Sequence, residues 1–312
     1  EGERVNRMGG QEEQEAATKG EEGEEMVARC KKLFQEDCLF QAVRLERDIA
    51  DKFPNAHSKH EAFMQQVRDA SEEAEGFCKD LQGDDGWNHV YGSKEDDIRV
   101  WYKPEADSPI HALRVAATID APLEYLLVMV NEITLFPSWL PFISDSELLS
   151  KPSKCERVCW WKIKSPLPAI FSHRDSCVYG RAIDGLDEDG CVLLLIRSLE
   201  EMEGVTFPEV KPKTVRIDIK YAAVKLIPIN NNKTKVVAAG SVDPKIHKLP
   251  SWLINWVATK VCYMGVILWG RNARRVAEGK KDCPHRQRMR EDAEFYAWMS
   301  ARVHSFNERN GH

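Results

Sequence analysis

Few residues in this chain combine charge with an apolar setting, and Arg174 and Asp175 stand first among them. They follow the turn Ser165-Pro166-Leu167-Pro168-Ala169-Ile170 and Phe171-Ser172-His173, and they open the strand-like run Ser176-Cys177-Val178-Tyr179. Strands disfavour Asp and favour residues that pack on a half-buried surface. A charge buried alone is costly, so each member of the pair needs a partner. Two readings follow: a structural tie that fixes the turn, or a polar patch on a pocket wall. Downstream, Thr214-Val215-Arg216-Ile217-Asp218-Ile219-Lys220-Tyr221 alternates apolar and polar residues. Asp243-Pro244 and Leu249-Pro250-Ser251-Trp252-Leu253-Ile254-Asn255-Trp256 come next. Trp160, Trp161, Tyr179 and Tyr221 are aromatic candidates for a wall. Alternation groups Cys159, Trp161 and Ile163 on one face and Lys162 and Lys164 on the other. An inward aromatic either packs a core or cages a quaternary ammonium of the choline type.

Reactive chemistry is not indicated. The chain has no Gly-x-Ser-x-Gly, no phosphate-cradling glycine loop and no His-Glu-x-x-His. His89, His111, His173 and His247 are isolated. The nine cysteines are scattered without a Cys-x-x-Cys, so reduced, buried thiols in a cytoplasmic protein are expected. No close Cys/His cluster suggests zinc. No catalytic residue, metal or cofactor is predicted.

The formal net charge of −6 argues against a nucleic-acid binder, and 43% hydrophobic residues suffice for a substantial core. Residues 1–25 are acidic and poor in apolar side chains, which predicts a disordered segment. The acidic start shows no signal peptide, and the chain begins at Glu1 without Met, as a fragment of a longer protein would. Trp252 to Trp269 approaches the ~20 residues of a membrane span. Asn255, Thr259 and Lys260 interrupt it, and Ser251, Asn255 and Thr259 recur every fourth residue. A helix packed on a protein core is therefore predicted.

These residues need elements to position them. Helical spacing predicts helices over Glu25–Phe53 and Lys59–Leu81, with Pro54 and Asn55 between them. Strands are expected at Trp87–Tyr91, Ile98–Tyr102 and Ile110–Ile119. Asp120-Ala121-Pro122 then starts a helix. Further strands are expected at Asp145–Leu149, Glu156–Ile163, Asp175–Ile183, Cys191–Leu199, Val215–Ile229 and Thr234–Val242. Helices over Pro250–Glu278 and Pro284–Phe306 complete the chain. Such a run of strands favours an antiparallel sheet in an α+β fold.

In their order, the turn with Arg174-Asp175, the alternating strand and the Pro-x-Trp-Leu-x-Asn segment resemble the START (StAR-related lipid-transfer) family, from about Trp87 to Glu278. The resemblance implies a helix-grip fold, a curved antiparallel sheet wrapped around a long C-terminal helix with an internal apolar cavity. The organisation that follows is an acidic segment (1–25), N-terminal helices (26–83), a lipid-binding domain (84–279) and a basic C-terminal segment with a helix (280–312). One lipid would occupy the cavity and move between membranes, or be sensed there without bulk transfer. The implied lipid-binding residues are Trp161, Arg174, Asp175, Tyr179, Tyr221, Leu253, Asn255, Val257, Val261 and Met264. Leu167, Ile170 and Phe171 would touch the membrane. Sterol carriers of the family place an acidic residue and an Arg where spacing puts Trp161 and Gly180 here, and this favours a phospholipid over a sterol. Arg271, Arg274, Arg275, Lys280, Lys281, Arg286, Arg288 and Arg290 form either a solvated helix end or a surface that attracts anionic lipid. A cytoplasmic, transiently membrane-associated protein is expected, with a possible protein partner on the flanking helices.

Overall fold

The computed structural model describes residues 2–83, 85–93, 97–105, 108–246, 250–280 and 282–311, with side chains from residue 17 onward except that of Ser93. His247, Leu249 and Lys281 of the sequence reading lie outside these residues. The chain forms two compact units, Glu1–Gly76 and Phe77–His312.

The first unit is helical: α1 (Gly2–Gln35), α2 (Leu39–Lys52), α3 (Pro54–Lys59) and α4 (Glu61–Cys78), which runs on past the boundary. The acidic segment expected to be disordered is the start of α1. Its Glu, Gln, Ala and Arg residues are good helix formers, although their composition offers little to bury. The helix expected over Glu25–Phe53 is broken at Asp37, whose φ of 60° is left-handed, and Cys38 N–H returns to Leu33 O at 3.0 Å. Pro54 opens α3, because the first turn of a helix needs no proline N–H. Buried Glu46 accepts hydrogen bonds from Arg68 and His57 and so ties α2 to α3 and α4.

The second unit is built on a ten-stranded sheet. Its strands are β1 (Asn88–Ser93), β2 (Ile98–Pro104), β3 (His111–Ile119), β4 (Ile143–Ser150) and β5 (Glu156–Ile163). β6 (His173–Gly185), β7 (Cys191–Ser198), β8 (Thr214–Arg216), β9 (Asp218–Asn230) and β10 (Lys233–Asp243) follow. The order is β1-β2-β3-β10-β9-β7-β6-β5-β4, antiparallel throughout, and short β8 lies parallel to β6. The single strand expected over Val215–Ile229 breaks at Ile217, whose N–H bonds Asp175 O at 2.9 Å.

Helices α5 (Leu123–Asn131), α6 (Phe136–Trp139), α7 (Leu186–Asp189), α8 (Ser251–Trp256), α9 (Met264–Ala277), α10 (Pro284–Glu291) and α11 (Ala293–Arg309) complete the unit. Pro122, and not Asp120, stands at the N-cap position of α5, without a side-chain capping bond; Asp120 pairs with Lys233 at 3.2 Å. α8 and α9 are joined by a π-helical stretch, Val257–Tyr263, into one helix, Ser251–Ala277. By length and composition this helix is apolar enough to cross a membrane. In the fold it packs on the sheet. Ala258 sits among Ile98, Val100, Val115 and Ala117, and a Cβ on Gly270 would come within 2.6 Å of Ile119 Cγ2. That contact is closer than a side chain at position 270 allows. The architecture is a curved antiparallel sheet gripping a long helix.

Candidate lipid-binding cavity

Register decides which side chains face the helices. Arg157, Cys159 and Trp161 of β5 stand opposite Gly180, Val178 and Ser176 of β6. Val178, Gly180, Ala182 and Asp184 pair with Ser198, Ile196, Leu194 and Val192 of β7. Leu194 pairs with Val224 of β9. Side chains alternate across a strand, so these positions share the inner face. All but Ser176 and Ser198 border a cavity of about 290 Å³ whose facing surface is almost entirely carbon. Leu127 and Val130 of α5, Phe136 of α6, Trp269 of α9 and the inward side of α11 close it.

The charges at its border are engaged with protein. Arg302 donates to Asp187 at 2.7 Å and pairs with Asp184. Arg157 Nη1 donates to the carbonyls of Glu156 and Lys154 at 2.7 and 3.0 Å. Cys159 lies on the wall, and burial pushes its thiol up to about 12, so it stays protonated and unreactive. All nine cysteines are free. Among the described residues no cluster could hold a metal ion. The cavity has the surface to take up an apolar chain.

Of the residues singled out in the sequence, Trp161 lines this cavity, its ring 6.1 Å from that of Phe136. The others take different places. Asp175 points to the opposite face, where it is 1% exposed and accepts hydrogen bonds from Trp160 Nε1 at 2.9 Å and Arg216 Nη2 at 2.8 Å. Arg174 does not pair with it; Arg174 Nε donates to Pro244 O at 2.9 Å and Nη1 to Ser172 O at 2.6 Å. The pair is therefore a tie between β5, β6, β8 and the turns, and it does not border this cavity. Tyr179 and Tyr221 fall on the outer positions of β6 and β9. Tyr179 bonds Glu156 beneath the Arg197 guanidinium, and Tyr221 bonds Asp80 and packs on Phe77. Leu253 is buried, Asn255 is exposed, and Val257, Val261 and Met264 are half-buried on the long helix. None of these five lines the cavity, which the long helix meets through Trp269.

Leu167 and Ile170 are 44% and 71% exposed, while Phe171 packs its ring 5.7 Å from that of exposed Trp252. In the basic cluster, Arg286 donates to the last carbonyls of α9, Val276 O at 2.6 Å and Ala277 O at 2.9 Å, and so caps the long helix. Arg274 bonds Asp120 O, and Arg288 pairs with Glu291.

The wall residues of β7 and α11 were not among those singled out. Val192 to Ile196 is a continuous apolar run, which marks a buried strand without saying which face meets the cavity, while Phe295, Trp298, Met299, Arg302 and Val303 recur at helical spacing.

A curved antiparallel sheet, a long gripped helix and an apolar void define the helix-grip class. Residues 68–277 match the START domain, and the chain belongs to that family. It is 28% identical over 165 residues to the phosphatidylcholine transfer protein of Bos taurus, a match that covers 52% of this chain and 72% of the relative. The Rattus norvegicus phosphatidylcholine transfer protein is 25% identical over 163 residues, with the same coverage. Among solved structures, human STARD10 superposes with a TM-score of 0.56 at 18% identity, covering 69% of this chain and 84% of its own. Human StAR-related lipid transfer protein 5 superposes at 0.55 with 16% identity, covering 67% and 98%. These two likenesses establish the fold.

Proposed function

We propose that this protein binds one lipid in the cavity, a phospholipid in preference to a sterol, and carries it between membranes. The observation that carries the reading is the carbon-walled cavity on the helix-facing side of the sheet. Family membership and the similarity to phosphatidylcholine transfer proteins support it. Trp161 and Gly180, which face the cavity, supply no charge where sterol carriers are expected to have it. No catalytic step belongs to this reading.

The mechanism is physical. Each methylene moved from water to the cavity gains about 0.8 kcal/mol. A void of about 290 Å³ lies at the lower edge of the ~300–1,000 Å³ usual for ligand pockets, so a two-chain lipid requires the wall to give. The helices that line it include α5, α6, α9 at Trp269, and α11, and the wall gives by their movement. Leu167 and Ile170, beside Phe171 and Trp252, form the membrane contact. It is strong enough for transient docking and too weak for permanent anchoring. In this reading the protein works in the cytoplasm. A sensing role through a protein partner is the second reading, favoured by the separate helical unit Glu1–Gly76.

Transfer of labelled phosphatidylcholine between donor and acceptor vesicles tests the proposal, with native mass spectrometry of the purified protein to detect a retained lipid. Bound lipid with transfer well above the spontaneous rate is expected. Binding without transfer favours the sensor, and no binding of any lipid class overturns both readings.

A further inference from the structure

Helix α11 lies beyond residues 68–277, which match the family, yet it forms part of the cavity wall. Phe295, Trp298, Met299, Arg302 and Val303 all border the void. Their spacing of three and four places them on one helical face. The face is held by fastenings to separate elements. Asn131, at the end of α5, donates to Tyr296 Oη at 2.7 Å, and Tyr296 in turn bonds Glu132. Arg302 and Arg309 both donate to Asp187 of α7, at 2.7 and 2.6 Å. Asn307 bonds Asn231 in the β9–β10 turn at 2.9 Å. The Lys154 ammonium sits 4.1 Å from the centre of the Trp298 ring. The β6–β7 connection and the β9–β10 turn lie at the same end of the sheet, so α11 is clamped across that end.

The fastenings are polar and peripheral, and the side chains between them are large and apolar. Met299 and Val303 are buried in the core cluster, whereas Trp298 is half-buried and borders the void. Its ring packs against the edge of that cluster and also borders the void, so its bulk limits the space there. We propose that α11 is the end wall of the ligand cavity and that Trp298, with Met299, sets the length of apolar chain the cavity accepts. The proposal rests on the lipid-carrier reading. A chain that reaches the indole has to bend or displace a clamped helix, and removing the indole lets it continue.

The test uses the full chain, incubated with vesicles of saturated phosphatidylcholines in equal amounts and graded acyl length, with bound species read by native mass spectrometry. Trp298→Phe and Trp298→Ala should shift the bound population stepwise to longer chains. The long-to-short ratio should rise by about fourfold for each methylene newly accommodated. Val303→Phe, which adds bulk to the same wall, should shift it to shorter chains. Val210→Ala, on an exposed loop, should leave the profile unchanged. Thermal melts establish folding; where Trp298→Ala does not fold, Trp298→Phe and Val303→Phe decide. A length profile that stays the same in folded variants overturns the end wall and leaves the carrier reading standing. Where the wild type retains no phosphatidylcholine, the same series is run with other phospholipid classes, and absence of every class overturns both.

Discussion

Asp175 is held between an indole N–H and a guanidinium at 1% exposure, with both carboxylate oxygens engaged in hydrogen bonds. Asn has the same shape but no charge, and its amide turns a donor toward one of two donors. Asp175→Asn should therefore destabilise the fold by about 2–3 kcal/mol, measured by urea unfolding, while the class of bound lipid stays the same. A changed lipid with unchanged stability would instead return Asp175 to the ligand site. The sequence made this position conspicuous because an Asp in a strand must have a partner. It could not say which, since Trp160 is on the neighbouring strand and Arg216 on a strand parallel to β6. Alternation placed Trp161 and Trp160 on opposite faces, and the structure puts Trp161 on the cavity side. For Tyr179 and Tyr221 the side was likewise not legible, because alternation separates two faces without saying which one the helices cover.

The turn before β6 and the start of the long helix make one element-scale surface. Leu167 and Ile170 leave much of their area in water, so replacing them removes little from the core. Each could gain roughly 1.5–3 kcal/mol by full burial in a bilayer surface. The double variant Leu167→Asp/Ile170→Asp should lower co-sedimentation with phospholipid vesicles by at least about tenfold and slow transfer, with the melting temperature unchanged. Undiminished co-sedimentation would move the membrane contact elsewhere. The long helix shows a different limit of sequence reading. Its apolar run was readable as a packed helix, and Gly270 gave no sign that α9 approaches Ile119 so closely. Close approach is a property of two elements, and only one of them was in view.

For the whole molecule, acid stability follows from two histidines kept neutral. Burial pushes His285 down from 6.5 to about 4 and lowers His111 as well, although Asp243 and Glu105 pull His111 back. The unfolded chain protonates the ring of His285 first, so between pH ~6.5 and ~4 it binds more protons than the folded chain. Stability should fall as pH drops through this window, by up to ~1.4 kcal/mol per pH unit for His285, and His111 acts in the same direction. His285→Phe should flatten part of that slope in urea titrations at stepped pH, and an unaltered slope would rule His285 out. By itself the sequence determined most of the order of helices and strands and the apolar character of the interior, because period, breakers and composition are local, while the family came from the resemblance carried by its motifs. The tertiary structure alone decided which strand face is hollow, that Arg174 and Asp175 serve different partners, and that α11 closes the cavity. Each of these depends on register and on contacts between residues far apart in the chain, which no local pattern records.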